Sequence, residues 1–459
     1  MTIVDPIENA DELLSHGGEP RQALLRIARA SLSMADPYRA TLSRLSLAGK
    51  ELRVERQCYQ LGRERRVFLI GAGKASFPIA KAVEQILGPR IHRGLIVAKD
   101  GQSGTLAHCE LHLAAHPVPD ERSLAAGEAM FALLQAVRPG DLVIACITGG
   151  SSALLVAPVA GISLADKAET NRILLTCGAG IREINAVRKH LSRLKGGRLA
   201  QALPAGTNLV NLTVSDVIGD PLDYITDCTV PDSSTLADAR RTLDRYGLWP
   251  RLPHSVCDHL KEGGSAEETP GEAELAHLQR QDVILVPSDA ACRGAQRAAV
   301  DLGYETMILS TRIEGESREL GRTFGAIAKE VIATSNPLAR PCAIIAGGET
   351  TVTIADAGGG HGGPNQEFAV AAALEIDGLR ETAVLGLDTD GTDGPTDIAG
   401  ALVDGDTIAR ARRIGVDLRT ALMQHDVAPC LERLGDALRT GQTGTNVNDL
   451  KILLVAPEP

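Results

Sequence analysis

The sequence has few aromatic residues, no paired cysteines and no long apolar run. Aromatic residues make up 2% of the 459 residues, so few rings are available on which the bases of a single-stranded nucleic acid could stack. The nine cysteines form no Cys-x-x-Cys pair, which argues against a zinc site or a disulfide framework. No stretch approaches the roughly 18 consecutive apolar residues of a membrane helix, and the acidic N-terminus lacks the features of a signal peptide. We therefore expect a cytoplasmic protein with no membrane partner.

Positive charge is also in short supply. The chain has 47 Lys and Arg residues against 58 Asp and Glu residues, a formal net charge of −11, and this argues against nucleic acid as the main partner. Glycine, in contrast, is abundant at 47 residues, which indicates many tight turns and close approaches of the backbone to a ligand. A small-molecule ligand is the expected partner.

Apolar runs alternate with amphipathic segments along the chain, which predicts an α/β protein with two Rossmann-like domains, each built on a mostly parallel sheet. The acidic, Gly- and Pro-bearing segment 262–274 is interpreted as the linker, so the domains are predicted at 1–265 and 275–459. Ligand-binding loops are expected after the strands, at their carboxyl ends. The predicted strands of the first domain lie at 66–73, 93–100, 141–150 and 208–216, and those of the second at 282–289, 306–312, 342–350, 382–391 and 450–457.

The first glycine motif, GAGKAS at 71–76, lies between a predicted strand and a predicted helix. Backbone amides at such a turn favour anions, and Lys74 after Gly73 adds a positive charge. The motif lacks the first glycine and the Ser or Thr of a Walker A loop. It also fits the dinucleotide fingerprint poorly, because Ser76 holds the third glycine position, although Asp100 could bind a ribose. An anion site and a plain tight turn both remain open.

The second motif, CITGGSSALL at 146–155, follows another predicted strand. Gly149, Gly150, Ser151 and Ser152 form a run of small donors suited to a phosphate or carboxylate group. An ordinary serine-capped helix is the alternative interpretation.

A third motif, at 183–200, has the apolar periodicity of an amphipathic helix. In such a helix Arg188, Ser192 and Lys195 would follow one line. A basic helix face is usually only solvated, but six Arg and Lys residues within 182–198 of a net-acidic protein favour phosphate binding.

Carboxylates follow two further predicted strands. Asp216 and Asp220 lie in the string VSDVIGDP, where they could bind Mg²⁺ or act as a base, or simply form a turn. Glu349 follows two glycines and is a second candidate base. A glycine-rich loop at 357–367, which leads into a helix and includes Asn365, suggests a close backbone approach to a ligand.

The densest acidic segment is VLGLDTDGTDGPTDIAG at 384–400. Its carboxylates repel one another unless they are solvated, hydrogen-bonded or neutralised by a cation. Asp388, Asp390 and Asp393 do not fit an EF-hand, which needs Gly at position 6 and Glu at position 12. Mg²⁺ needs only one or two carboxylates together with water and phosphates, so it fits better, while a surface turn is the alternative. Asn446, just before the last predicted strand, could contact a substrate.

Taken together, these motifs resemble those of the type-2 glycerate kinases, the family with a C-terminal MOFRL domain. The match runs in order across roughly residues 20–455, and the long helix string and the Asp-rich loop are its specific parts. The resemblance implies ATP-dependent phosphorylation of D-glycerate at its 2-hydroxyl group in a cleft between two α/β domains. It also implies a possible homodimer. The matching strings are GAGKAS, TGGSSALL, INAVRKHLSRLKGGRLA, SDVIGDP, GGET, LDTDGTDGPTDIAGALVD and GTNVNDLKILL.

The resemblance implies phosphoryl transfer with ATP and Mg²⁺. Lys74 matches a lysine held important in the family and would stabilise charge on the γ-phosphate. Asp216 and Glu349 are the candidate catalytic carboxylates. Substrate and phosphate groups would contact Gly73, Gly149, Gly150, Ser151, Ser152, Arg188, Lys195, Asn365 and Asn446. Metal ligands would come from Asp220, Asp388, Asp390 and Asp393, with Asp216 and Asp220 interchangeable as base and metal ligand.

Two departures from the family pattern concern the substrate. Pro364 stands where many relatives have Arg, which removes a bidentate carboxylate or phosphate donor. Residues 226–229 read Thr-Asp-Cys-Thr where many relatives have Ser-Gly-Pro-Thr. Arg188, His361 or Arg312 could replace the lost arginine. The alternatives to a glycerate kinase are a kinase of a related hydroxy acid, an NAD(P)H-dependent hydroxypyruvate reductase and a non-enzymatic acid-binding protein.

Overall fold

In the computed structural model, which describes residues 5–354 and 359–458, strands and helices alternate along the chain, which confirms the predicted α/β class. The strands are β1 (Leu45–Ala48), β2 (Glu51–Val54), β3 (Gln57–Gln60), β4 (Val67–Ala72), β5 (Ile91–Lys99), β6 (Glu110–Ala114), β7 (Leu142–Ile147), β8 (Asn208–Val214), β9 (Gln279–Val286), β10 (Glu305–Glu316), β11 (Cys342–Thr351), β12 (Thr382–Asp388), β13 (Gly400–Asp404), β14 (Ala437–Leu438) and β15 (Asp449–Val455).

The helices connect these strands and cover the sheets. They are α1 (Ala10–Leu14), α2 (Glu19–Met34), α3 (Pro37–Arg44), α4 (Ser76–Leu87), α5 (Glu121–Leu134), α6 (Ser151–Leu154), α7 (Leu164–Leu175), α8 (Ile181–His190), α9 (Arg198–Gln201), α10 (Leu222–Ile225), α11 (Leu236–Arg245), α12 (His254–Glu262), α13 (Glu272–Leu275), α14 (Ala290–Asp301), α15 (Ser317–Thr334), α16 (Pro364–Glu375), α17 (Thr407–Arg413), α18 (Leu418–Met423) and α19 (Ala428–Leu434). Short 3-10 helices lie at Gly88–Arg90, Asp227–Thr229 and Trp249–Arg251. Within the described ranges, no helix is both long and apolar enough to cross a membrane.

The chain divides into two units, each with its own sheet. The N-terminal unit comprises Pro37–Ser215 and Asp220–Leu285. The C-terminal unit comprises the described residues of Met1–Asp36, Asp216–Gly219 and Val286–Pro459. This division differs from the predicted limits of 1–265 and 275–459, because the first helices belong with the C-terminal residues and the predicted linker lies inside the N-terminal unit.

The sheet of the N-terminal unit has the order β6-β5-β4-β7-β8-β9, and the pairs from β6 to β8 are parallel. Its central strands β4 and β7 are buried along their whole length, as expected for a parallel sheet covered on both faces. Because Ala72 pairs with Ile147, the loops after these two strands leave the same edge side by side. The assignment of 282–289 to the second domain was wrong, since β9 completes this first sheet. An apolar run shows that a strand is buried, but does not identify its neighbour.

The sheet of the C-terminal unit has the order β10-β11-β15-β12-β13-β14. Only β10 and β11 pair in parallel, and the other four neighbouring pairs are antiparallel, so the prediction of a mostly parallel sheet was wrong here. The last strand, β15, enters between β11 and β12 and opposes both. Its first residue, Asp449, therefore lies opposite Gly348 on one side and Asp388 on the other.

The predicted continuous helix at 183–200 is divided in the structure, so that prediction was wrong. Helix α8 ends at His190, and Ser192 forms an isolated antiparallel bridge with Pro158. The Ser192 hydroxyl accepts hydrogen bonds from the amides of Leu194 and Lys195, at 3.2 Å each. The apolar periodicity continues through this turn because Leu191 and Leu194 are both buried, although only α8 is helical.

The first helices are fixed to the C-terminal unit by a buried ion-pair network. Arg21 on α2 has no exposed surface, and its guanidinium binds Asp404 at 2.6 Å and Asp436 at 2.8 Å. Arg410 on α17 binds the same two carboxylates, each at 2.8 Å. The Arg21 Nε donates to the carbonyl of Leu13 at 2.9 Å. The network explains why residues 5–36 pack with strands that come almost four hundred residues later.

Candidate functional site

In the N-terminal unit, the turn after β4 touches the loop after β7. The amide of Lys74 donates to the carbonyl of Gly149 at 2.8 Å, and the amide of Ala75 donates to the Thr148 hydroxyl at 3.2 Å. Gly73 has a φ of +131°, and a Cβ atom there would overlap Thr148. Glycine at 73 is thus required both by backbone conformation and by close packing.

The loop after β7 presents backbone amides next to Lys74. Within the described residues, the amides of Gly149 and Gly150 donate to no acceptor of the protein, and both residues are half-buried. A Cβ atom at Gly150, where φ is +86°, would lie 3.3 Å from Cγ of Lys74 and 3.3 Å from Nε2 of His116. Two adjacent amides beside a lysine side chain form a concave, electropositive surface suited to an oxyanion.

Ser152 connects this loop to a buried ion pair. The Lys195 ammonium donates to the Ser152 hydroxyl and to the Asp227 carboxylate, at 2.6 Å each. The second oxygen of Asp227 accepts the Gly196 amide at 2.8 Å. Burial alone would raise the pKa of Asp227, but Lys195 and Lys189 more than offset it, so the carboxyl stays ionised. Asp227 belongs to the string 226–229, which departs from the expected family pattern. Its carboxylate neutralises Lys195, which the sequence predicted to bind phosphate.

Two further cations lie around this pair. Lys167 on α7 is 4% exposed, and burial together with the charges of Lys195 and Arg188 lowers its pKa to about 7. Burial likewise lowers the pKa of Arg188, against the opposing effect of Asp227. Lys189, in contrast, binds the buried carboxylate of Asp232 at 2.8 Å.

In the C-terminal unit, the loop after β8, which includes Asp216, meets the segment before β15. The Asn446 side-chain amide lies 3.5 Å from the Asp216 carboxylate, so two predicted site residues are brought together. Arg312 lies close by, since a Cβ atom at Gly219 would be 3.5 Å from one of its terminal nitrogens. Asp220, with a φ of +55°, belongs by its contacts to the N-terminal unit.

The carboxylates of the Asp-rich loop have separate environments. Asp388 is half-buried, and burial together with the charges of Asp390 and Asp449 raises its pKa well above the usual value. The Asp390 amide donates to Asp388 at 3.0 Å, and the Asp390 carboxylate accepts the amide and hydroxyl of Thr392 at 2.9 and 2.8 Å. The carboxylates of Asp388 and Asp390 are thus close enough for their charges to repel each other.

Asp393 has a different role. One of its oxygens accepts the amide and side-chain nitrogen of Asn365, at 3.0 and 3.1 Å, and the other accepts the Gln366 amide at 2.9 Å. These amides belong to the first turn of α16, so Asp393 caps this helix from outside its own segment. Burial raises the pKa of Asp393 to about 7 despite these bonds. Asn365 is fully buried and also donates to Asp449 at 2.7 Å, which gives both residues a structural role.

A cavity of about 450 Å³ in the same unit is strongly acidic. Glu349 is exposed at the end of β11, while Glu367 is 1% exposed and binds Nδ1 of His425 at 2.8 Å. Burial raises the pKa of Glu367, with His425 opposing the shift. Pro364 lies in this lining, so the residue that replaces the family arginine faces a cavity rich in carboxylates. Its acidic lining residues are Glu349, Glu367, Asp388, Asp393 and Asp449.

The described residues contain no group of three or more His, Cys, Asp or Glu side chains arranged to hold a metal ion. The predicted glycine-rich loop at 357–367 is described from 359 onward, and residues 357 and 358 lie outside the described part of the chain. Sequence reasoning missed Lys167, His116, Glu367 and His425, because single charged residues in ordinary-looking segments gave no local signal.

Comparisons with known proteins match both parts of the chain. Residues 23–261 match a family described as a domain of unknown function, DUF4147, and residues 342–449 match the MOFRL family. A glycerate 2-kinase of Pyrococcus horikoshii is 39% identical over 438 residues, which are 95% of this chain and 97% of that protein. A putative hydroxypyruvate reductase of Agrobacterium vitis is 41% identical over 437 residues, or 95% and 94% of the two chains.

A solved structure agrees with these sequence matches. The crystal structure of a glycerate kinase from Thermotoga maritima has a TM-score of 0.80 and 36% sequence identity to this chain. The alignment covers 95% of this chain and 99% of that one. The resemblance predicted from the motifs is thereby confirmed over nearly the whole length.

Proposed function

The chain belongs to the type-2 glycerate kinase family with a C-terminal MOFRL domain, and we propose that it transfers the γ-phosphoryl group of ATP to the 2-hydroxyl group of D-glycerate. The product would be 2-phospho-D-glycerate. Its relatives are named as glycerate kinases, and kinases in general use ATP as phosphoryl donor. A cytoplasmic location and a homodimer stay predictions.

The observation that carries the proposal is the pair of unbonded amides at Gly149 and Gly150 beside the Lys74 side chain. Phosphoryl transfer involves little covalent work by the protein and depends on positioning and on stabilising charge at the equatorial oxygens. Amides fixed at the edge of a buried sheet supply this stabilisation without moving. Gly73, Ser151 and Ser152 frame the same loop pair, and Lys74 supplies the positive charge.

We assign the acceptance of the hydroxyl proton to Asp216. It is half-buried, and the neighbouring Asn446 side-chain amide donates to its carboxylate at 3.5 Å. A carboxylate held in this way can serve as a general base. Glu349 is exposed at its strand end and is the second candidate. Asn446 would then also be close to the substrate hydroxyl.

The residues of the C-terminal unit fit a magnesium ion held mainly by water and phosphate oxygens. Mg²⁺ typically needs only one or two protein carboxylates, which agrees with the absence of a closed cluster of ligands among the described residues. Asp388 and Asp390 would hold it, because a cation relieves the repulsion that raises the pKa of Asp388. Bound there, the ion would neutralise phosphate charge. Asp220 is a further candidate, whereas Asp393 and Asn365 are committed to capping α16.

The reductase reading has less support in the geometry. Asp100, the candidate ribose ligand, forms a bidentate ion pair with Arg122 at 2.6 and 2.7 Å. Hydrogen bonding to Arg122 lowers the pKa of Asp100. A nicotinamide cofactor would have to compete with this pair.

The test is an assay of the purified protein with ATP, Mg²⁺ and D-glycerate. ADP release that depends on D-glycerate, with 2-phosphoglycerate identified by ³¹P NMR, is the expected result. A parallel reaction with NADH and hydroxypyruvate tests the reductase. Loss of NADH absorbance without any glycerate-dependent ADP would overturn the proposal.

Lys74→Ala should lower turnover by roughly 10²-fold or more, because one preorganised charge at a developing oxyanion is worth that much. Lys81→Ala is the matched control, since Lys81 has the same charge, lies on the following helix α4 and is exposed. Both variants should keep the wild-type circular dichroism spectrum. Near-normal turnover of the Lys74 variant would remove this lysine from catalysis.

A further inference from the structure

Lys167 is a buried cation whose side chain has no hydrogen-bond or ion-pair partner among the residues that the structure describes. It is 4% exposed, yet no group among the described residues accepts a hydrogen bond from its ammonium. A buried charge is normally paired with an opposite charge or a hydrogen-bonding group. Without such a partner, the loss of its hydration costs on the order of several kcal/mol. The protein therefore maintains an unfavourable arrangement at this position.

Arg188 shows the same pattern on the neighbouring helix. It lies on α8, is half-buried, and its guanidinium donates to no acceptor within the described ranges. Another half-buried arginine of this unit, Arg240, instead donates to the carbonyls of Leu260 and Gly263. The two unbonded cations are near enough that the charge of Arg188 depresses the pKa of Lys167.

Asp227, the carboxylate whose charge acts on both Lys167 and Arg188, is already bonded. Asp227 uses one oxygen for Lys195 and the other for the Gly196 amide. Asp232 binds Lys189 instead. Counting Lys167, Arg188 and Lys195 against Asp227, the cluster has more cations than carboxylates, so an added oxyanion would be stabilised there.

We propose that Lys167 and Arg188 bind the carboxylate of the acceptor acid, on the Ser152 side of the loop whose Gly149 and Gly150 amides hold the transferring phosphoryl group. This assignment rests on the proposed function, because it divides one reaction between two oxyanion sites. It gives Lys167 a substrate-binding role.

Charge on Lys167 depends on pH in the range where the enzyme would work. Its pKa of about 7 reflects burial and the charges of Lys195 and Arg188, opposed by Asp227 and Cys228. A bound carboxylate favours the protonated form, so binding takes up a proton above pH 7. The affinity for the acid should then fall by up to about tenfold per pH unit above 7, until the pKa of the complex is reached.

The experiment compares Lys167→Met with the wild type, using steady-state kinetics and calorimetric titration with D-glycerate and with inorganic phosphate. The KM for D-glycerate should rise roughly 10- to 100-fold, because a hydrogen bond to a charged group is lost. The KM for ATP should change less than about threefold, as expected for a contact outside the nucleotide site. Titrations in two buffers of different ionisation enthalpy should show proton uptake by the wild type and none by the variant.

Arg172→Gln is the matched control. Arg172 lies on the same helix α7, is exposed, and pairs only with Glu169 at 2.6 Å among the described residues. The Arg172→Gln variant should bind D-glycerate with wild-type affinity and with the same proton uptake as the wild type. Should Lys167→Met fail to fold, Arg188→Met tests the same site by the same titrations.

Stability separates a binding role from a structural one. If Lys167 serves a ligand, removing its unpaired buried charge should leave the unliganded variant at least as stable as the wild type. Unchanged affinity for D-glycerate and phosphate in Lys167→Met would overturn the inference, as would a selective rise in the KM for ATP. If the protein binds phosphate through Lys167 yet releases no ADP, the oxyanion site stands and the proposed function fails.

Discussion

Replacing Arg21 tests the account of how the C-terminal unit is assembled. In Arg21→Met the carboxylates of Asp404 and Asp436 each lose one hydrogen bond from a fully buried guanidinium, and the Leu13 carbonyl loses the bond from Nε. Breaking a buried ion pair by removing one partner costs about 3–5 kcal/mol. Arg410 still binds both carboxylates, so we expect the lower part of this range.

The assay is urea denaturation followed by circular dichroism and by tryptophan fluorescence. The chain has a single tryptophan, Trp249, which lies in the N-terminal unit, so fluorescence reports that unit alone, whereas circular dichroism reports both units. The Arg21 variant should lose stability chiefly in the circular dichroism transition. Arg29→Met is the control, because Arg29 lies on the same helix but forms an exposed pair with Asp5, worth at most about 1 kcal/mol.

The effect of the substitution should also depend on pH. Burial alone would raise the pKa of Asp404, but Arg21 and Arg410 more than offset it and hold the pKa below its usual value. A depressed carboxyl pKa stabilises the folded state above about pH 4, and this contribution disappears as the pH falls through the folded-state pKa. The stability difference between wild type and variant should therefore shrink below pH 4. A loss of less than about 1 kcal/mol at pH 7 would refute the reasoning.

Two further substitutions test local structure. Gly363→Ala should destabilise the C-terminal unit by roughly 1–3 kcal/mol, because the added Cβ atom would overlap the Asp393 carboxylate that caps α16. The control is Gly62→Ala, which has open space around the added atom and should have little effect in the same denaturation assay. Asp227→Asn should lower the free energy of unfolding measured by Trp249 fluorescence by about 3–5 kcal/mol, because the Lys195 ammonium is left buried without a counter-charge. The control is Asp258→Asn, whose carboxylate is exposed and whose loss should not change this free energy. Wild-type midpoints for Gly363→Ala or Asp227→Asn would contradict the assigned contacts.

Local patterns predicted the parts of the fold that depend on local physics. The buried strands β4 and β7 and the glycine turns after them follow from apolar runs ended by Gly, and the sequence placed both loops at one sheet edge. Sheet partners were not predictable in this way. Strand β9 joined the first sheet and β15 entered between two earlier strands, because pairing over long sequence distances depends on the packing of the whole unit.

The candidate site shows the same limit. The sequence predicted Lys74 and Gly150 as separate site residues, and the structure brings them together, since a Cβ atom at Gly150 would lie 3.3 Å from Cγ of Lys74. The spacing in the sequence also predicted that Asp388, Asp390 and Asp393 act as one group. In the structure Asp393 caps helix α16, whereas the Asp390 amide donates to the Asp388 carboxylate. Lys167 escaped notice because nothing in the string LADKAETNRILL separates a buried lysine from a solvated one.

The Arg21 network places a constraint on the order in which the newly made chain can fold. Residues 37–285 supply nearly all of the N-terminal unit, so this unit can form while the rest of the chain is still being synthesised. Helix α2 is made early, but Asp404 and Asp436, which bind its Arg21, are made among the last residues, so this cation has no counter-charge for most of translation. A truncated product that stops before residue 404 would leave Arg21 without either ion pair and should be the species most prone to aggregate.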